Sequence, residues 1–172
     1  MSAMQALLDD PTTAGRWRLV PDRSSVRFKN KTFWGLATVT GEFTDVRGSG
    51  EITATGAVSG TLDIRASSLK TGIGKRDEHL RSADFFDVEK HPEIHVEVSS
   101  VTPTGEAQAT LTVRGTTTPL PLSATVERAG DGTVRVTAQT AIDRTTLGVS
   151  GNMIGMMPTT TTLLADVVFA KE

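Results

Sequence analysis

About nine short stretches of this chain alternate apolar and polar side chains one for one, and that rhythm leaves few folds open. Trp17 and Leu19 stand against Arg16 and Arg18, and Val26 and Phe28 against Arg27 and Lys29. Ala37, Val39 and Phe43 alternate with Thr38, Thr40 and Glu42, ahead of a turn expected over residues 45–50. The pattern resumes in Leu62/Ile64/Ala66, Ile94/Val96/Val98, Ala109/Leu111/Val113, Leu120/Leu122/Ala124/Val126, Val134/Val136/Ala138/Ile142 and Leu163/Ala165/Val167/Phe169. Strands of this kind have one apolar face, which an open sheet would leave wet. The sheet must therefore close into a barrel or pack on a second sheet. Turn signals such as Ala129-Gly130-Asp131-Gly132 favour antiparallel hairpins.

Alternation does not say whether the interior is solid. A small barrel can be filled by side chains or can hold one narrow ligand. The inward candidates are mostly small or medium, among them Val39, Ala66, Val96, Ala124 and Ala138, and six Phe, two Trp and no Tyr supply the bulk. A barrel with an incompletely filled lumen follows, although a sandwich with interdigitated Val and Ala predicts the same residues.

The 172 residues suffice for one domain, with residues 1–14 expected as a flexible leader ending at Pro11-Thr12-Thr13-Ala14. Eighteen Lys and Arg against 20 Asp and Glu leave a net charge of −2, so no electrostatic footprint for nucleic acid is present. Cysteine is absent, which excludes disulfides, thiol nucleophiles and thiolate metal sites. Of His79, His91 and His95, the last two stand four apart as helical metal ligands would, but Pro92 and the strand pattern from Ile94 argue against a helix and place both on an outer polar face with Glu93 and Glu97, so no metal is expected. The start lacks a basic, apolar signal-peptide pattern and no window approaches a transmembrane span. These features predict a cytoplasmic protein with no stable membrane insertion.

Two segments interrupt the strands. In residues 69–87, helix formers over 76–82 predict one or two short helical insertions, with Lys75, Arg76, His79 and Arg81 clustered. Residues 144–158 carry Met153, Met156 and Met157 in a stretch punctuated by Gly151 and Gly155 and ended by Pro158. Such adaptable side chains suit a cover over one barrel opening, expected at 149–158.

Within these segments a family pattern emerges. Arg76-Asp77-x-His79-Leu80, followed by Ser82-x-Asp84-Phe85-Phe86-Asp87 and Pro92, resembles the central signature of the YceI-like, polyisoprenoid-binding proteins. Similar elements stand in order on either side: Trp17-x-Leu19-x-Pro21-Asp22-x-Ser24-Ser25-Val26-x-Phe28, Val39-Thr40-Gly41-Glu42-Phe43, Leu111 to Pro119 and Arg144-x-x-Leu147-Gly148. His91 and Leu147 stand where members usually carry aromatic residues. The resemblance implies an all-β, antiparallel, lipocalin-like barrel over residues 15–172 whose apolar interior holds an isoprenoid or other long lipid chain.

On this reading Trp17, Phe28, Phe43, Ile64, Phe86, Leu111, Ile142, Met153 and Met156 line the lumen, and Lys75, Arg76, His79 and Arg144 meet a lipid head group. The partner is an isoprenoid, quinone-like or fatty-acyl lipid, with a homodimer left open and no cofactor or catalytic residue expected. The alternative is an acid–base enzyme acting on an apolar substrate in the same cavity, with Asp77 and His79 as the pair. No nucleophile elbow, phosphate-cradling loop or dinucleotide fingerprint is present.

Overall fold

The computed structural model describes residues 2–32, 37–149 and 160–172. Their strands form one antiparallel eight-stave barrel. The first stave is bent: β1 (Gly15–Leu19) and β2 (Ser25–Thr32) are separated by a single 3-10 turn at Pro21–Arg23. Both halves pair with β12 (Thr160–Lys171), Trp17 opposite Lys171 and Val26 opposite Ala165. The second stave bends at the matching height, since β3 (Ala37–Phe43) pairs with β2 while β4 (Val46–Ile52) pairs with β1. The circuit continues through β5 (Val58–Arg65), β7 (Glu93–Val101), β8 (Glu106–Val113), β10 (Leu122–Arg128) and β11 (Val134–Asp143). It closes where β12 meets β1, which decides for a barrel over a sandwich. Short β6 (Leu69–Lys70) extends β3, and β9 (Thr116–Pro119) pairs with β8.

Residues 45–50, expected as a turn, lie mostly within β4. Their glycines serve close packing between strands. A Cβ on Gly48 would come 2.9 Å from the Thr61 carbonyl oxygen, and one on Gly60 would come 3.0 Å from that of Ser49. Gly50 and Gly60 are register partners, so a stretch of this wall carries no side chain.

The expected flexible leader is also replaced by structure. Residues Ala3–Asp9 form helix α1, whose N-cap Ser2 Oγ accepts from the Gln5 N–H at 3.1 Å. Seven residues are too few for a helix stable in water by itself, and tertiary contacts hold it. Met4, Leu7 and Leu8 recur at helical spacing and cover the barrel end where β1 begins and β12 finishes. Leu7 packs with Trp17, Ile52 and Val134 in a small cluster. Arg128 donates to Asp10 at 2.9 Å, Lys171 Nζ to the Thr12 carbonyl at 2.6 Å, and Ser2 Oγ to the Pro103 carbonyl at 3.0 Å.

Up-and-down connectivity puts the second helix, α2 (Gly74–Arg81), at the opposite end. It matches the helix expected over 76–82. The larger core cluster runs from mid-barrel to this end and includes Phe28, Phe43, Leu69, Leu80, Phe85 and Leu147.

Candidate functional site

The lumen is not solid. It holds a cavity of ≈ 550 Å³, a volume typical of small-molecule sites. Two features keep it open. Gly50, Gly60, Ala124, Ala138 and Ala165 contribute walls with little or no side chain. The Phe28, Phe43 and Phe86 rings meanwhile pack on one another, with centroids 5.5, 6.0 and 5.8 Å apart, instead of spreading across the space. Gly41 makes that cluster possible, because Phe28 lies across its backbone and a Cβ there would fall 2.1 Å from the ring.

Trp17, Phe28, Phe43, Ile64, Phe86, Leu111 and Ile142 all line this cavity. Trp17 sits towards α1, its indole N–H donating to the Thr13 carbonyl at 2.9 Å, so its polar atom is satisfied without water. Met153 and Met156, and most of the cover expected over 149–158, lie outside the described residues.

The α2 end of the cavity is cationic. Arg76, His79 and Arg144 line it, whereas Lys75 is exposed and stands outside it. Arg144 is buried at 5% exposure. It donates to the Val149 carbonyl at 2.7 Å and lies 6.0 Å from the centre of the Phe85 ring. Burial pulls its pKa below the ordinary guanidinium value, against the opposing pull of Asp143. Arg76 is oriented by Thr71, donating to its Oγ1 at 2.7 Å and its carbonyl at 2.8 Å. Among the described lining residues the one carboxylate belongs to Glu51, exposed on β4 near the far end.

Asp77 and His79 go separate ways. Buried Asp77 accepts from the Thr71 N–H at 2.9 Å and from Thr71 Oγ1 at 2.5 Å, so Arg76 and Asp77 converge on one threonine. Asp77 does not line the cavity. His79 Nε2 meets Asp84 at 3.2 Å and its ring stands edge-on to Phe85. Arg81 donates to the Ser67 and Leu69 carbonyls and ties α2 to β6. His95 pairs with Asp63 at 2.7 Å on the outer wall, and His91 lies beside Gly115.

Two contributions escape the sequence reading. Asn30 and Thr161 line the cavity, buried and joined by a 2.7 Å bond from Thr161 Oγ1 to Asn30 Oδ1. The signal was available, since Asn30 continues the inward phase of Val26 and Phe28. Arg114 donates through Nη1 to the carbonyls of Ala83, Phe85 and Gly148 at 2.9, 2.9 and 2.7 Å. It fastens the loop after α2 to the segment after β11. Its backbone is left-handed, with φ 53°, in front of Gly115 at 72°.

A model of the YceI-like domain matches residues 17–169. The chain belongs to the YceI-like family. Burkholderia cenocepacia BcnA, at 18% identity, superimposes with a TM-score of 0.80 over 87% of this chain and 98% of its own. A polyisoprenoid-binding domain from Saccharophagus degradans, implicated in plant cell wall breakdown, gives 0.72 at 19% identity over 91% and 98%. These likenesses establish a shared YceI-like fold. A UPF0312 protein of Pseudomonas putida strain GB-1 is 38% identical over 74 residues, which is 41% of this chain and 38% of that protein's length. The match thus spans well under half of that relative. Among the described residues of this YceI-like chain, no helix is long and apolar enough to cross a membrane.

Proposed function

We propose that this YceI-like barrel binds one long apolar lipid, of isoprenoid, quinone-like or fatty-acyl type, and sequesters or carries it without converting it. The carrying observation is the ≈ 550 Å³ apolar cavity with Arg76, His79 and Arg144 gathered at one end. The tail lies among Trp17, Phe28, Phe43, Ile64, Phe86, Leu111 and Ile142. The head group, anionic or rich in acceptors, rests against Arg76, His79 and Arg144, with Lys75 further out. The name of the Saccharophagus degradans neighbour supports an isoprenoid among the three classes.

An acid–base enzyme would need Asp77 and His79 to act on one substrate. Asp77 is instead held by Thr71, outside the cavity lining.

Native mass spectrometry after mild purification, followed by organic extraction, tests the proposal: a lipid mass at one per chain is expected. His79→Gln and Asp77→Asn retain size and much hydrogen bonding. Extracted lipid should rebind His79→Gln within a few fold and be recovered unchanged. Asp77→Asn should mainly lower the melting temperature. Conversion of the lipid to a new mass by the parent protein, abolished in either variant, would overturn the carrier reading.

A further inference from the structure

We infer that α1 is the floor of the cavity and sets the longest apolar chain that the barrel accepts. The inference deepens the lipid-binding proposal and rests on it. The match to the family model begins at residue 17, and α1 lies ahead of it. It contributes wall all the same, since Met4, Leu7 and Leu8 line the cavity. Met4 and Leu7 are buried against the lumen, Leu7 directly beside Trp17.

The floor is anchored on several sides. Ser2 bonds to the β7–β8 turn through the Pro103 carbonyl. Asp10 pairs with Arg128 at the end of β10, and Lys171 of β12 reaches the Thr12 carbonyl. Leu8 sits on the β4–β5 turn, where a Cβ on Gly56 would lie 3.2 Å from the Leu8 carbonyl oxygen. The polar lining at the other end, Arg76, His79 and Arg144, leaves the tail to point towards α1. A chain that reaches α1 gains affinity with each buried methylene. A longer one must expose Met4, Leu7 and Leu8 or leave its own end in water. Affinity therefore climbs with length and then stops climbing at a ceiling fixed by α1.

The experiment measures binding of geraniol, farnesol, geranylgeraniol and longer polyprenols to the full chain by isothermal titration. The parent is compared with Leu7→Ala, Leu8→Ala and Gln5→Ala. Leu8 is only half-buried, so Leu8→Ala preserves the fold if Leu7→Ala does not, and circular dichroism monitors both. The expected result is a ceiling in the parent, with the first polyprenol above it bound about tenfold more tightly by the two leucine variants. Gln5, which among the described residues bonds along the helix to Asp9 and Ser2, should leave the ceiling in place when replaced. An unchanged ceiling in both leucine variants would overturn the floor while leaving lipid binding intact. An equal shift in Gln5→Ala would overturn it too, by assigning the effect to helix stability. Failure of every polyprenol to bind any of the proteins would overturn the isoprenoid reading and, with it, the floor as a limit on isoprenoid chain length.

Discussion

Gly41 does at one position what a larger residue cannot, letting the Phe28 ring lie on bare backbone beside Phe43 and Phe86. Gly41→Ala should push Phe28 into the cavity. Overpacking of this kind costs about 1–3 kcal/mol, readable as a lower urea midpoint with an unchanged slope. Asp10 offers a pH test. The Thr12 hydroxyl and N–H, then Arg128, hold its carboxyl at about 2, below the ordinary aspartate value of 3.8. Its folded pKa is depressed, so its contribution to folding is complete above about pH 4 and fades as pH falls through 3.8 towards 2. Titration by NMR should place the Asp10 midpoint near 2. Thr12→Val should raise it more than Arg128→Gln does. At this scale the sequence was legible wherever phase alone decides: Trp17, Phe28, Phe43, Ile64, Leu111 and Ile142 follow from alternation, and Asn30 would have too, whereas Phe86 lies in the segment after α2, outside any strand. Arg114 was not legible, because its three carbonyl partners come from segments about 30 positions away in sequence that only the fold brings together.

The loop after α2, the segment after β11 and the β8–β9 turn form one unit at the cationic end, with Arg114 as the fastener. Arg114→Ala removes charge-assisted bonds to all three carbonyls and should cost about 3 kcal/mol of stability by chemical denaturation. Arg114→Lys should restore little, since an ammonium cannot reproduce the guanidinium fork. If the same unit also positions Phe85 under Arg144, both variants should weaken lipid binding alongside stability. The strands were legible as elements because one face of each is buried and the period is two. Two elements were misread for related reasons. Residues 46–52 have glycines at inward positions, Gly48 and Gly50, where a strand pattern expects apolar side chains. Helix α1 is only seven residues long, and its Met4, Leu7 and Leu8 acquire meaning once there is an open barrel end to cover.

For the whole molecule, a cavity that favours a lipid makes stability depend on its occupancy. Extracted lipid or a bound polyprenol at about a hundredfold its Kd should add about 2.7 kcal/mol. For a chain of this size that corresponds to a rise of roughly 5–10 °C in melting temperature, measurable by calorimetry on emptied and reloaded protein. Barrel and sandwich could not be told apart from alternation, since both bury one face of every strand; the pairing of Trp17 with Lys171 separates them. That same pairing governs how the protein comes into being. The seam between β1 and β12 joins the first strand of the barrel to the last, so it cannot form until β12 itself has been synthesised. The other staves can zip along neighbouring hairpins, but closure must bring together residues from the two ends of the barrel, such as Trp17 and Lys171, at a large cost in chain entropy. Until that moment the apolar inner faces and two unpaired strand edges are open to other chains, and a nascent barrel of this kind is most vulnerable to aggregation in the interval before closure.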